Sequence, residues 1–114
     1  MKLETGNLEG PALEWAVAVC EGRKPQVAIA LVKSGSLSYS TNFDAGGPII
    51  EREEIHTFTQ YPRAPNFPKV WYGRFKGRVL GQGPTWLIAG LRCFVAAKLG
   101  ETVEVPDELI SGKT

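Results

Sequence analysis

Two Gly-Pro pairs constrain this chain most, because each opens an apolar helix that a later glycine closes. Gly10-Pro11 begins the first and Gly83-Pro84 the second. Proline suits the first helical position, where its missing N–H would have no intrahelical acceptor. The first helix is predicted from about Pro11 to Glu21, stopping at Gly22, with Leu13, Ala16, Val17 and Cys20 on one face. The second is predicted from Pro84 to Leu99, stopping at Gly100. Its Leu87, Ile88, Leu91, Phe94, Val95 and Leu99 recur at three-four spacing and should face a core. Lys98 in its last turn complements the negative end of the helix dipole.

Between the helices the pattern is strand-like. Val27 to Val32 is a short apolar run rich in β-branched residues and predicts a buried strand. Ser34-Gly35-Ser36 reads as a turn, and Leu37 to Ser40 as a return strand. Ile49 to Thr59 predicts a partly exposed strand. Tyr61 to Pro68, with Pro62, Pro65 and Pro68, predicts an extended connection. Val70 to Leu80 reads as one long strand. Alternation puts Trp71, Phe75 and Val79 on one face and Tyr72, Arg74, Lys76 and Arg78 on the other. Residues from Glu101 to Val105, closed by Pro106, predict a last short strand. The expected fold is α+β: a small, mostly antiparallel sheet of four or five strands with two helices packed on one face. The length of 114 residues suits a single domain over residues 1–110, with a frayed tail at 111–114.

Charge is segregated along the chain. The formal net charge is only +1, yet no Asp or Glu occurs from Ile55 to Gly100. That stretch holds Arg63, Lys69, Arg74, Lys76, Arg78, Arg92 and Lys98, with His56 near its start. A field of one sign on part of a small domain attracts an opposite partner, here an anion. Cys20 and Cys93 lie in apolar helical patterns and read as buried structural thiols. Together with the lone histidine they match no zinc spacing. No apolar run is long enough to span a bilayer, and the amino-terminal residues lack the apolar stretch of a secretory signal. The expectation is a cytoplasmic protein, without membrane contact.

Several segments resemble the phage NinX-like proteins. They are Leu13 to Ala18 (LEWAVA), Gly46 to Glu53 (GGPIIERE), Gly83-Pro84-Thr85, Leu91 to Gly100 (LRCFVAAKLG) and Val103 to Pro106. The resemblance runs from the first helix to Leu109 in unbroken order, and the Gly46 to Glu53 block is its most specific piece. Phe43 stands where that family pattern implies tryptophan, and Trp86 where it implies proline. Either departure would alter a ligand pocket. The resemblance implies a small protein carried by a phage or prophage and dispensable for basic replication. It implies no established reaction.

Four groups of residues are candidates for a site. Tyr39, Ser40, Thr41, Asn42, Phe43 and Asp44 offer short polar groups and stacking rings, and Gly46 and Gly47 would let backbone approach a ligand. The same segment also reads as a long turn whose polar side chains satisfy local backbone. Gly83 and Thr85 lead into a helix N-terminus, which suits phosphate, although no Walker lysine follows. The alternative there is a plain proline-started helix. Arg74 and its neighbours on the strand, with Arg92, would supply cations beside aromatic rings, or simply form a solvated face. Arg52 joins the ligand set or, as the alternative, pairs with a glutamate, while Glu51 and Glu53 lack the partners that acid–base chemistry needs.

No nucleophile, positioned base or metal set emerges, and no cofactor is expected. The leading expectation is a non-catalytic binder of a small, nucleotide-like anion, serving a phage by sequestering a host defence signal. The second is a protein-interaction module that inhibits a host factor through the basic stripe and Trp15, Trp71 and Trp86. The third is a weak nucleic-acid binder. Self-association into a homo-oligomer is left open.

Overall fold

A computed structural model describes residues 1–59 and 69–110. The Tyr61 to Pro68 connection, Arg63 and the 111–114 tail lie outside the described residues. In chain order the elements are β1 (Lys2–Glu4), a 3₁₀ turn (Thr5–Asn7), α1 (Gly10–Cys20), α2 (Pro25–Lys33) and α3 (Phe43–Arg52). There follow β2 (His56–Thr59), β3 (Trp71–Phe75), β4 (Arg78–Gly83), α4 (Trp86–Leu99), β5 (Thr102–Glu104) and a second 3₁₀ turn (Asp107–Leu109). The class is α+β, as expected. The strands, however, form two antiparallel sheets: the pair β1–β5, and the three strands β2-β3-β4.

Helix α4 is the centre of the molecule. One side packs on all three strands of the larger sheet, and other sides meet α1 and α3. Phe94, Leu91, Val95 and Cys93 of α4 are buried with Leu13 and Val17 of α1, Leu8 and Val105. Fully burying one such large side chain contributes about 1.5–3 kcal/mol. Small residues set the spacing. A Cβ on Gly81 would stand 2.5 Å from the Cys93 backbone nitrogen, and one on Gly73 would stand 2.7 Å from the Ala89 carbonyl oxygen. Gly73 and Gly81 are cross-strand partners, so the helix lies directly on sheet backbone.

Both glycine-closed helices form where expected, with local adjustments. In α1 every residue from Ala12 to Ala18 is buried, Glu14 and Trp15 included, so its core contact is wider than one stripe. In α4 Thr85 is the N-cap, so Pro84 precedes the helix and is not its first residue. Leu99 is 37% exposed and does not join the core.

The interior of the chain departs more. Val27 to Val32 is helix α2. Pro25 starts it, Ser34 and Gly35 close it, and Trp15 Nε1 donates to the Pro25 carbonyl at 3.2 Å. A fully apolar run of this length does not declare its period, and contact with α1 selects the helix. Leu37 to Ser40 is irregular and not a strand, because the Tyr39 and Ser40 amides donate to Glu14 instead of to a neighbouring strand. Ile49 to Arg52 belongs to α3, and only His56–Thr59 of the expected strand is extended. Val70 to Leu80 is not one strand but most of a hairpin. Lys76 and Gly77 have φ of 50° and 80°, as a two-residue type I′ turn requires. A bulge between Gly73 and Arg74 then shifts the register. Val79 therefore lies opposite Arg74, 53% exposed, and Arg78 lies opposite Phe75. The expected four-residue cationic stripe is divided: Tyr72 and Arg74 share a face, Lys76 is in the turn, and Arg78 is on the other side.

Candidate functional site

The outer face of the three-stranded sheet, away from α4, is built by register. His56 lies opposite Arg74, and Phe58 opposite Tyr72. Direct cross-strand partners share a face, so these four side chains form one patch. The Phe58 and Tyr72 rings stack at 5.5 Å between centroids with 24° between planes. The His56 ring tilts against Phe58 at 5.9 Å, and the Arg74 guanidinium lies 5.5 Å above the same ring. Gln82 and Val79 extend the face onto β4. No acidic residue belongs to these strands. Among the described residues Arg74 has no salt-bridge partner. The arrangement holds a cation over an aromatic ring, worth about 0.5–1 kcal/mol per exposed pair, and leaves its charge free to meet an anion.

The polar segment Tyr39 to Gly47 is spent on folding to a larger extent than its composition implies. Asn42 caps α3, its Oδ1 accepting from the Asp44 amide at 2.9 Å. Thr41 is exposed beside it, and its amide donates to the Ser38 carbonyl. Tyr39 is half-buried. Its amide donates to Glu14 Oε2 at 2.5 Å, and the Ser40 amide donates to Glu14 Oε1 at 2.8 Å. The Ser40 hydroxyl also donates to that carboxylate. Sequence reading overlooked Glu14, because only the fold brings it to a segment 25 residues further on. Gly46 is buried, and a Cβ there would meet Tyr39 O at 2.3 Å and Leu87 Cδ1 at 2.7 Å, so it serves packing against α4.

Phe43, Asp44 and Gly47 have a different surrounding. With Pro48, Ile50, Glu51 and Trp86 they line a hollow of about 280 Å³. Phe43 is 63% exposed and meets the Trp86 ring edge-to-face at 5.1 Å. The charged side chains on this hollow are carboxylates, Asp44 and Glu51, and none of its lining residues is a cation.

The α4 N-terminus is also committed. Thr85 Oγ1 accepts from the Ile88 amide at 3.1 Å. Gly83 is buried, and a Cβ there would stand 2.8 Å from Ile88 Cγ2. Arg92 clamps two elements, donating from Nε to Leu8 O at 2.7 Å and from Nη1 to Gln82 O at 2.8 Å. Burial holds its pKa below the usual value. Arg52 takes the internal role: it donates to both Glu21 carboxylate oxygens and to Glu53, and these bonds raise its pKa. Glu53 also meets Lys98 at 3.2 Å. The expected ligand residues thus fall into separate places. Arg74 is on the sheet face, Phe43, Asp44 and Gly47 are at the hollow, and Arg52, Gly83, Thr85 and Arg92 hold the scaffold. Arg78 and Gly83 are five residues apart on one strand, roughly 16 Å at ~3.3 Å per residue.

A larger cleft of about 800 Å³ lies at the far end of α4. Lys76 and Arg78 line it from the hairpin, Glu4 and Glu101 from the amino-terminal and β5 side, and Phe75 and Leu80 are among its apolar lining. An anion in this cleft would meet both signs of charge.

Neither thiol is poised to react. Burial pushes both Cys20 and Cys93 up to about 11. Among the described residues no group of three or more His, Cys, Asp and Glu could hold a metal ion. No described helix is long and apolar enough to cross a membrane. The family model described as "Bacteriophage P22, NinX" matches residues 4–98. No curated protein matches the chain.

Proposed function

This chain belongs to the bacteriophage P22 NinX family and is a phage accessory protein, and on that premise we propose that it binds a small, nucleotide-like anion without catalysis. The binding surface is the outer face of the β2-β3-β4 sheet. One observation carries the reading: Phe58, Tyr72 and Arg74 stand together, with the Phe58 and Tyr72 rings stacked and the guanidinium over Phe58, on strands that contain no acid. A base has a ring platform to stack on, and a phosphate has a guanidinium to pair with. The cleft at the far end of α4 is larger, but its two carboxylates oppose its two cations. Binding alone would let the phage sequester an anionic signal of host defence.

Thermal unfolding with a panel of nucleotides and cyclic dinucleotides tests this. A ligand at about 100 times its Kd stabilises the folded state by about 2.7 kcal/mol. The expected result is a rise in Tm with at least one member that Arg74→Ala and Tyr72→Ala each reduce. No shift with any member overturns the reading. Oligonucleotide affinity that falls steeply with salt, without any response to mononucleotides, assigns the face to nucleic acid instead.

A further inference from the structure

We propose that the Phe43–Trp86 hollow is a docking site for an arginine side chain presented by a partner protein. The proposal stands apart from the sheet face and concerns the opposite charge.

Helix periodicity builds the hollow. Phe43, Asp44, Gly47, Pro48 and Glu51 recur at three- and four-residue spacing along α3, so they share one stripe. Trp86, the first residue of α4, closes the side. Gly47 keeps the floor low, since a Cβ there would sit 3.6 Å from the Phe43 ring. The result is an open aromatic corner of about 280 Å³, the size of one side chain and not of a drug-like ligand.

Two independent features specify the occupant. The first is aromatic: Phe43 leaves 63% of its surface exposed and holds an edge-to-face contact with Trp86. Exposed ring faces in a polar rim are the residue types that anchor protein interfaces. The second is electrostatic: Asp44 and Glu51 flank the rings, and among the described residues neither has a salt-bridge partner. By contrast Glu53, two residues on, is held by Arg52 and Lys98. A planar guanidinium satisfies both features, because it stacks on aromatic rings and pairs with carboxylate through a fork of donors. An anion would be repelled, and a neutral apolar side chain would leave the carboxylates unused.

The test uses the whole protein labelled with ¹⁵N and two short peptides, acetyl-Gly-Arg-Gly-amide and its citrulline counterpart. Citrulline keeps the shape and removes the charge. The Trp86 indole N–H signal is expected to move saturably with the arginine peptide, and to respond at least about fivefold more weakly to citrulline. In Asp44→Asn/Glu51→Gln the arginine response is expected to weaken about tenfold while the spectrum stays folded, because both positions are exposed. Phe43→Leu, which keeps an apolar group but removes the ring, should weaken it as well. Equal response to both peptides, or no Trp86 movement up to about 20 mM peptide, overturns the proposal. So does an unchanged response in the double variant. Movement of Trp86 with protein concentration alone, abolished by Arg74→Ala, would assign the hollow to a second copy of this chain and also overturn it. Loss of nucleotide binding at the sheet face would leave every one of these readouts standing.

Discussion

The outer sheet face and the Phe43–Trp86 hollow use the same aromatic material with opposite charge. On the face, Phe58 stacks with Tyr72 and carries Arg74 over its ring, and no acid belongs to the strands. In the hollow, Phe43 and Trp86 meet edge-to-face between Asp44 and Glu51. Helix α4 separates them, packed on the sheet on one side and on α3 on another. Ring exposure alone does not name a partner. The sign of the charge beside the rings does, and here it differs between surfaces that share a helix. Phe43 and Trp86 touch each other at the hollow, whereas the face contains neither.

The strongest way to break the comparison is to separate the sheet from α4. In Gly81→Val the new side chain would collide with Cys93 and Ala89 backbone atoms, the first 2.5 Å from its Cβ. The expected cost is about 3 kcal/mol or more, read as a fall in the urea midpoint. Nucleotide response should be lost with it.

Glu14→Gln attacks the hollow instead. The buried carboxylate accepts from two backbone amides and the Ser40 hydroxyl. Replacing one acceptor oxygen by a donor nitrogen should cost about 2 kcal/mol. The Trp86 indole signal should broaden or move, while Tyr72 ring signals on the face stay in place.

Arg74→Ala and Tyr72→Ala should leave the urea midpoint within about 0.5 kcal/mol of the parent, as surface changes do. Each should weaken a bound nucleotide by about 1–2 kcal/mol. Phe43→Leu should cost about 0.5–1 kcal/mol of stability, the worth of an aromatic pair, and leave nucleotide binding unchanged.

The smallest effect sharpens the comparison through pH. The Arg52 hydrogen bond holds the Glu53 carboxyl below its usual pKa, against the opposing effect of burial and with help from Lys98. Its contribution is therefore complete above the ordinary glutamate value of about 4.3, and is lost as pH falls through the lower folded value. Glu53→Gln should flatten the acid side of the stability profile in that window only. The effect should fade in high salt, since Arg52 and Lys98 are about half exposed.

Legibility followed the range over which each signal acts. The Gly22 and Gly100 stops, the Ser34-Gly35-Ser36 turn and the strand before Pro106 were readable, because caps and turns depend on a few adjacent residues. The Lys76-Gly77 turn was readable in principle as well. Alternation of Trp71 to Val79 concealed it, since both a strand and a hairpin alternate.

The rest needed partners. The run from Val27 to Val32 carries no period of its own, and Trp15 with the α1 surface makes it a helix. The segment from Tyr39 to Asn42 looked like a ligand loop until Glu14 took the Tyr39 amide and both polar groups of Ser40, and Asn42 became a helix cap. Arg92 looked free until the carbonyl of Leu8, 84 residues away, accepted a hydrogen bond from its Nε. Order along the chain thus settled the helix stops at Gly22 and Gly100, the family and the acid-free stretch, because each is a property of neighbours or of a sum. Folding in three dimensions settled which cations stay available, which strands pair and which rings meet. Those outcomes rest on contacts between distant residues, whose energies no local pattern contains.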